Sequence, residues 1–248
     1  MTDRDDLTAL LLQIGDDHLV LGHRLSEWCG HAPMLEEDLA LPNMSLDLIG
    51  TARMCYSYAA EIEGGGRTED YYAFFRDGTE FRHVIMAERP NGDFAHTILR
   101  QFFFAAYMNP FWRAMTGSVD RQLAAHAGKA VKETAYHIRH SGEWVIRLGD
   151  GTEESACRMA TALDDLAPYI GEMFETDETA SRLIMAGVLP DPAPVRAAFE
   201  DTVAQTFAMA TMPPFEVIAG ISGGRSGRHT EVLGHLLADC LLYTSDAA

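Results

Sequence analysis

Basic residues are scarce in this chain. It carries 19 of them against 37 acidic ones, a net charge of −18 over 248 residues, and only two, Lys129 and Lys132, are lysines. A surface this acidic repels nucleic acid and anionic lipid, so both are excluded as partners. Cysteine is equally thin. Cys29, Cys55, Cys157 and Cys240 form no Cys-x-x-Cys pair, which rules out a zinc finger and a disulfide framework. No stretch approaches the roughly 18 uninterrupted apolar residues of a membrane span; the nearest, Phe102 to Trp112, is broken by Asn109 and Pro110. The start, Met1-Thr2-Asp3-Arg4-Asp5-Asp6, lacks the basic and apolar regions of a signal peptide, and the expected location is the cytoplasm. With 47% hydrophobic and 23% charged residues, the chain has the balance of a folded domain and not of a disordered one.

Alternation of strand period is also missing, and no internal repeat is found. What is present is helical spacing. Leu7, Leu10, Leu11, Ile14, His18, Leu21, Leu25 and Trp28 step by threes and fours until Gly30 and Pro33. A second helix is predicted after Pro42-Asn43, with Met44, Leu48, Ala52, Cys55, Ala59 and Ile62 on one face, ending at Gly64-Gly65-Gly66. Shorter helices are expected between Thr68 and Pro90. A third long helix runs from about Phe94 to Met115, and a fourth from Leu123 to Leu148, stopped by Gly149-Asp150-Gly151. A fifth begins at Thr152-Glu153-Glu154 and reaches about Phe174. Pro190, Pro192 and Pro194 read as a connection before a helix over 195–210, and a Gly-rich loop precedes a last helix near His229. Long helices with a polar-spotted inner stripe predict an all-α bundle with additional short helices and no sheet.

In such a bundle the first chemistry to test is a carboxylate-bridged di-iron centre, which needs a Glu from each of two helices and Glu-x-x-His from each of two others. Glu80-Phe81-Arg82-His83 is the one strict match, outside the long helices. The second helix offers Asp47 with Gly50 where a histidine should stand. The fourth offers Glu133 with Tyr136 in that place, and His137 one residue late. Glycine has no side chain to ligate iron, so a site built on these motifs lacks ligands twice. Asp47, Gly50, Glu133, Tyr136 and His137 therefore read as a vestigial site. There Asp47, Glu133 and His137 form a buried polar cluster, with His137 or Arg53 available to pair a carboxylate. Glu80 and His83 read as a surface pair.

Three weaker signals remain. The run from Gly223 to Thr230 brings together glycines, Arg225, Arg228, His229 and a helix start, the ingredients of an anion or partner contact. Phe102, Phe103, Phe104, Tyr107, Phe111 and Trp112 could line a pocket but fit core packing better. Ser26 and Cys29 near His31 lack the context of a nucleophile.

Several blocks carry a family resemblance: Glu27-Trp28-Cys29-Gly30-His31-Ala32-Pro33, Leu46-Asp47-Leu48-Ile49-Gly50-Thr51-Ala52-Arg53, Glu88-Arg89-Pro90-Asn91-Gly92-Asp93, Lys132-Glu133-Thr134-Ala135-Tyr136-His137-Ile138-Arg139, Gly223-Gly224-Arg225 and His229-Thr230-Glu231-Val232-Leu233-Gly234. From about residue 8 to Asp239 the chain resembles the PaaC family, the C subunits of phenylacetyl-CoA epoxidases. The resemblance implies a ferritin-like fold and a place in aerobic phenylacetate degradation, in a complex that converts phenylacetyl-CoA to its ring-1,2-epoxide. It further implies a structural, non-catalytic role with no cofactor in this chain. The di-iron centre is then expected in a partner A subunit, with a B subunit and an iron–sulfur flavin reductase completing the system. Two other readings come from different classes. In one the chain is itself a di-iron oxygenase using Glu80, His83, Glu133 and His137. In the other it is a helical module whose loop from Gly223 to His229 holds a coenzyme A phosphate.

Residues 1–239 are expected to form a single ferritin-like helical domain. Residues 240–248, Cys240 to Ala248, break the pattern before them and read as the in-frame translation of a sequencing-library adapter. They are expected to be a non-native tail.

Overall fold

The acidic start caps a helix. In the computed structural model, which describes residues 3–245 and the side chains of residues 3–239, the Asp3 carboxylate accepts the Asp5 amide at 3.1 Å. The helices are α1 (Arg4–Ser26), α2 (Leu35–Glu63), α3 (Glu69–Phe74), α4 (Ile85–Glu88), α5 (Phe94–Met115), α6 (Arg121–Gly149), α7 (Glu153–Ile170), α8 (Glu178–Met185), α9 (Pro192–Met209) and α10 (Glu231–Ser245). Short 3-10 turns stand at Gly78–Glu80, Gly171–Phe174 and Gly224–Ser226. No strand occurs among the described residues, as helical spacing predicts. No helix is long and apolar enough to cross a membrane, among the residues described.

The described residues divide into two compact units, one of residues 3–91 with 221–245 and one of Gly92–Gly220. The first is built on α1 and α2, which run antiparallel because Gly22 meets Ile49 while Gly15 meets Tyr56. A Cβ on Gly15 would stand 2.5 Å from the Tyr56 ring, so glycine is what lets the two helices come this close. Leu11, Leu21, Leu25, Leu41, Met44 and Cys55 are fully buried between them and the short helices.

The second unit pairs α5 with α6. α5 contains no acidic residue and buries Phe102, Phe103 and Phe104 in succession, the mark of a helix enclosed on all sides. The Phe103 ring lies 5.2 to 6.1 Å from the rings of Phe199, Phe207 and Phe215. The aromatic stripe is thus core. Tyr107 and Phe111 also border an apolar cavity of about 70 Å³ with Phe174, Ile184 and Val195. That is far too little for a coenzyme, since ligand pockets run to roughly 300–1,000 Å³.

Two helix starts and one whole helix differ from the sequence reading. α2 starts at Leu35, with Pro42 inside it. Glu36, Glu37 and Asp38 occupy the first turn, where the helix dipole favours them. Asp38 also accepts the Gly30 amide at 2.6 Å, and Leu41 is fully buried. These contacts hold the helix through the one hydrogen bond that Pro42 cannot make. Pro192 begins α9 instead of preceding it, since a first-turn proline gives up only an amide that has no helical partner. α8 has no counterpart in the sequence reading: eight residues with one buried side chain, Leu183, give too short a stripe to read. The expected adapter-derived tail meets the limit of description, for the α10 backbone continues to Ser245 while the side chains of 240–245 and all of 246–248 lie outside the described residues.

Candidate functional site: a buried acid–base core in the first unit

The middle of α1 reads Gly15-Asp16-Asp17-His18, three polar residues in succession on a helix buried on most sides, and all three side chains are enclosed. Three consecutive helical positions span about 200° around the axis, so on a helix buried on most sides at least one must face the core, and its charge has to be met there.

Asp16 is met by Tyr56 and Arg76. The Tyr56 hydroxyl donates at 2.6 Å, the Arg76 guanidinium pairs with both carboxylate oxygens, and the Arg82 amide donates at 2.7 Å. Arg76 is itself braced by the Tyr72 carbonyl at 2.7 Å. Burial, with Asp16 close by, pushes the Tyr56 hydroxyl well above its ordinary range, so it stays protonated as donor. Asp17 is met by the Val84 amide at 2.8 Å and by Arg225 at 2.7 Å. Burial raises the Asp17 carboxyl, while the Arg225 charge and its hydrogen bond pull the other way.

Beside these pairs Glu88 stands between two histidines. Its Oε2 lies 2.9 Å from His83 Nε2 and 3.1 Å from His229 Nδ1, and the two imidazoles stack with centroids 4.1 Å apart. Its Oε1 accepts the Thr230 amide at 2.7 Å, and Arg24 grips its backbone carbonyl at 3.0 and 3.1 Å. Burial would raise the Glu88 carboxyl, but the closeness of His229 and His83 outweighs it and holds the group below its usual range. Burial lowers His83 despite Glu88. For His229 burial is outweighed by Glu88 and the Phe81 carbonyl, and its pKa is raised.

This arrangement corrects the reading of Glu80 and His83 as a surface pair. His83 is fully buried and its partner is Glu88. Glu80 turns outward, accepting the Asp77 amide at 2.7 Å to cap its own turn. Arg225, read as an anion or partner contact, points inward to Asp17 and to the Arg82 carbonyl. Arg228 is exposed and lies over Gly223. His229 lines an open groove with Asp77, Thr79, Gly227, Thr230 and Glu231.

The residues read as a vestigial site fall in different places. Asp47 is half-buried on α2, and Gly50 lies on that helix's exposed face. On α6, Glu133 is half-buried and paired with Lys129 at 3.0 Å, and Tyr136 is 39% exposed. His137 is buried, with its Nδ1 3.4 Å from Gln101 Nε2. Arg53 pairs with Glu69 at the surface. The inner face of α2 instead runs through Met44, Leu48, Thr51, Cys55 and Ala59, and that of α6 through Ala130, Thr134, His137 and Ser141.

Sequence reasoning misses Glu88, Asp16 and Asp17 as site residues. The Gly-Asp-Asp-His run inside an apolar helix is the available signal for α1; Glu88, on a helix of four residues, gives none.

Comparison with known proteins adds two findings. The family model described as phenylacetic acid catabolic protein matches residues 1–246. Over 235 residues, 95% of this chain and 94% of the relative, the sequence is 46% identical to the C subunit of the 1,2-phenylacetyl-CoA epoxidase of Escherichia coli (strain K12).

Proposed function

The chain belongs to the phenylacetic acid catabolic protein family, and from that membership we propose that it is the C subunit of a phenylacetyl-CoA epoxidase, a structural partner of the subunit that activates oxygen. It works in the cytoplasm beside an A subunit that carries the di-iron centre and binds the thioester, with a B subunit and a reductase completing the system. Its own part is to brace the A subunit, not to oxidise.

One observation carries this reading. A dinuclear centre in a helical bundle draws carboxylates from the inward faces of several helices. Here α5 has no Asp or Glu at all. The buried residues of α6 include one histidine and no carboxylate. Those of α2 include only Glu37, in the first turn. The buried carboxylates of α1, Asp16 and Asp17, are already paired with Arg76 and Arg225, and this shortage of uncommitted inward carboxylates supports a role without a dinuclear centre. Support for a partner comes from the outside of α2, where Leu35, Leu39 and Leu46 are 61 to 70% exposed and, with Pro42, step by four, three and four along one face.

The test is iron per polypeptide in the chain purified without partners from iron-replete cells. The expected content is well below the ~2 per chain of a dinuclear site. A value near ~2 overturns the reading and makes this chain the oxygenase.

A further inference from the structure

We propose that His83, Glu88 and His229 form a mononuclear binding site for a divalent transition-metal ion, best suited to zinc, which ties the start of α10 to α4. This adds a structural ion to a chain that the family resemblance would leave without one, and it is separate from any oxygen-activating centre.

Charge is the first reason. In this core Asp16 is paired by Arg76 and Asp17 by Arg225, whereas the Glu88 carboxylate faces two imidazoles and the Thr230 amide, with no guanidinium bonded to it. Arg24 is directed to the Glu88 backbone carbonyl and to Glu27. A buried carboxylate needs a compensating cation.

The hydrogen-bond pattern is the second. His229 Nε2 donates to the Phe81 carbonyl at 3.0 Å, leaving Nδ1 on the side of Glu88, where it can carry a proton or offer its lone pair to a metal. That Nδ1 is buried and makes no aligned hydrogen bond, although Oε2 is 3.1 Å away. Two lone pairs at that separation repel unless a proton or a metal lies between them. A ring fixed through its far nitrogen by a backbone carbonyl is the usual support of a ligating histidine. Glu88 has the same kind of support, its second oxygen being held by the Thr230 amide.

Geometry is the third. The three ligand atoms lie within 4.8 Å of one another, with two edges of 2.9 and 3.1 Å. Bonds of about 2.0–2.2 Å to a tetrahedral zinc place ligands about 3.3 Å apart, so the shift required is small, though the stacked rings must splay to direct both lone pairs at one ion. Two imidazoles and a carboxylate match the nitrogen and oxygen preferences of zinc, and water completes the shell from the groove beside His229. Asp77, Glu231 and Arg228 line that groove, whose carboxylates outnumber its guanidinium two to one.

The full chain is equilibrated with Zn²⁺, freed of loose ion by gel filtration, and its zinc counted by mass spectrometry. The expected result is one zinc per chain. In His83→Gln and Glu88→Gln, competition with a chromophoric chelator should show affinity at least about ten-fold lower, with helical circular dichroism confirming the fold. Should either variant fail to fold, Co²⁺ added to the unaltered chain gives a second measure: intense visible bands of a four- or five-coordinate nitrogen–oxygen site are expected. Absence of retained zinc, as when a proton on His229 supplies the charge instead, overturns the proposal. So does zinc retained equally by folded variants, or a cobalt spectrum matching the hydrated ion.

Discussion

Arg225 reaches Asp17 across 208 positions of sequence, and their ion pair is 2.7 Å long with the carboxylate side only 2% exposed and the guanidinium 21% exposed. The pair tethers the loop before α10 to the middle of α1, and its unequal burial predicts unequal mutants. Arg225→Ala leaves Asp17 buried and without its cation, a loss of about 3–5 kcal/mol. Asp17→Ala leaves an arginine that can turn to water and should cost less. The double variant Asp17→Leu with Arg225→Met removes both desolvation penalties and should be more stable than Arg225→Ala alone. Urea unfolding midpoints of the three variants check that order.

Gly15 and Gly50 predict opposite outcomes for one substitution. At Gly15 an alanine Cβ would enter the Tyr56 ring, which cannot swing away because its hydroxyl is held by Asp16. Gly15→Ala should therefore cost about 1–3 kcal/mol as an overpacked contact. Nothing lies within 4 Å of a Cβ on Gly50, on an exposed helical face, so Gly50→Ala should stabilise by about 0.4–1 kcal/mol. Thermal denaturation of both variants reads the sign directly.

Two histidines set opposite limits on the pH range of stability. Burial disfavours a charged His96, but the hydrogen bonds it donates to Asp93 and Asp165 outweigh it and raise its pKa, with Arg158 also pairing to Asp93. The stability that this contributes is complete below the unfolded value near ~6.5 and fades as pH rises through the folded pKa. Solvent screening keeps it small, since the network is largely exposed. His23 is held to about 4 by burial. Its contribution is present above ~6.5 and is lost as pH falls toward the folded value. In unfolding titrations His96→Gln should flatten the alkaline side of the profile, and His23→Gln the acid side.

Much of the fold can be read from spacing because α1, α5 and α6 bury long stripes and end at strong stop signals such as Gly149-Asp150-Gly151. The second helix reads short because Pro42 breaks helices by default, and only the Asp38–Gly30 contact and the burial of Leu41 show why it does not here. The candidate site is less legible. Glu88 and His229 stand far apart in sequence, and nothing local to either foretells their meeting. Aligning motifs makes Gly50 and Tyr136 look like inward positions, whereas burial sets the inner faces through Thr51 and Cys55 on α2 and through Thr134 and His137 on α6.

The exposed stripe on α2 is where the proposed subunit role makes its sharpest demand. Leucine-sized side chains on one helical face gain about 1.5–3 kcal/mol each when fully covered, and left in water they favour association. A second copy of this chain would bring Glu36, Asp38 and Asp47 against their own images, which at a net charge of −18 favours a sister subunit with basic residues around an apolar helix instead. Leu39→Asp and Leu46→Asp should leave stability within about 0.5 kcal/mol, as surface changes do. They should also abolish co-purification with an A subunit expressed alongside. Retention of the A subunit at wild-type yield by folded Leu39→Asp would move the interface to another face. Dimerisation of the isolated chain, lost in the same variant, would instead assign the stripe to a second copy.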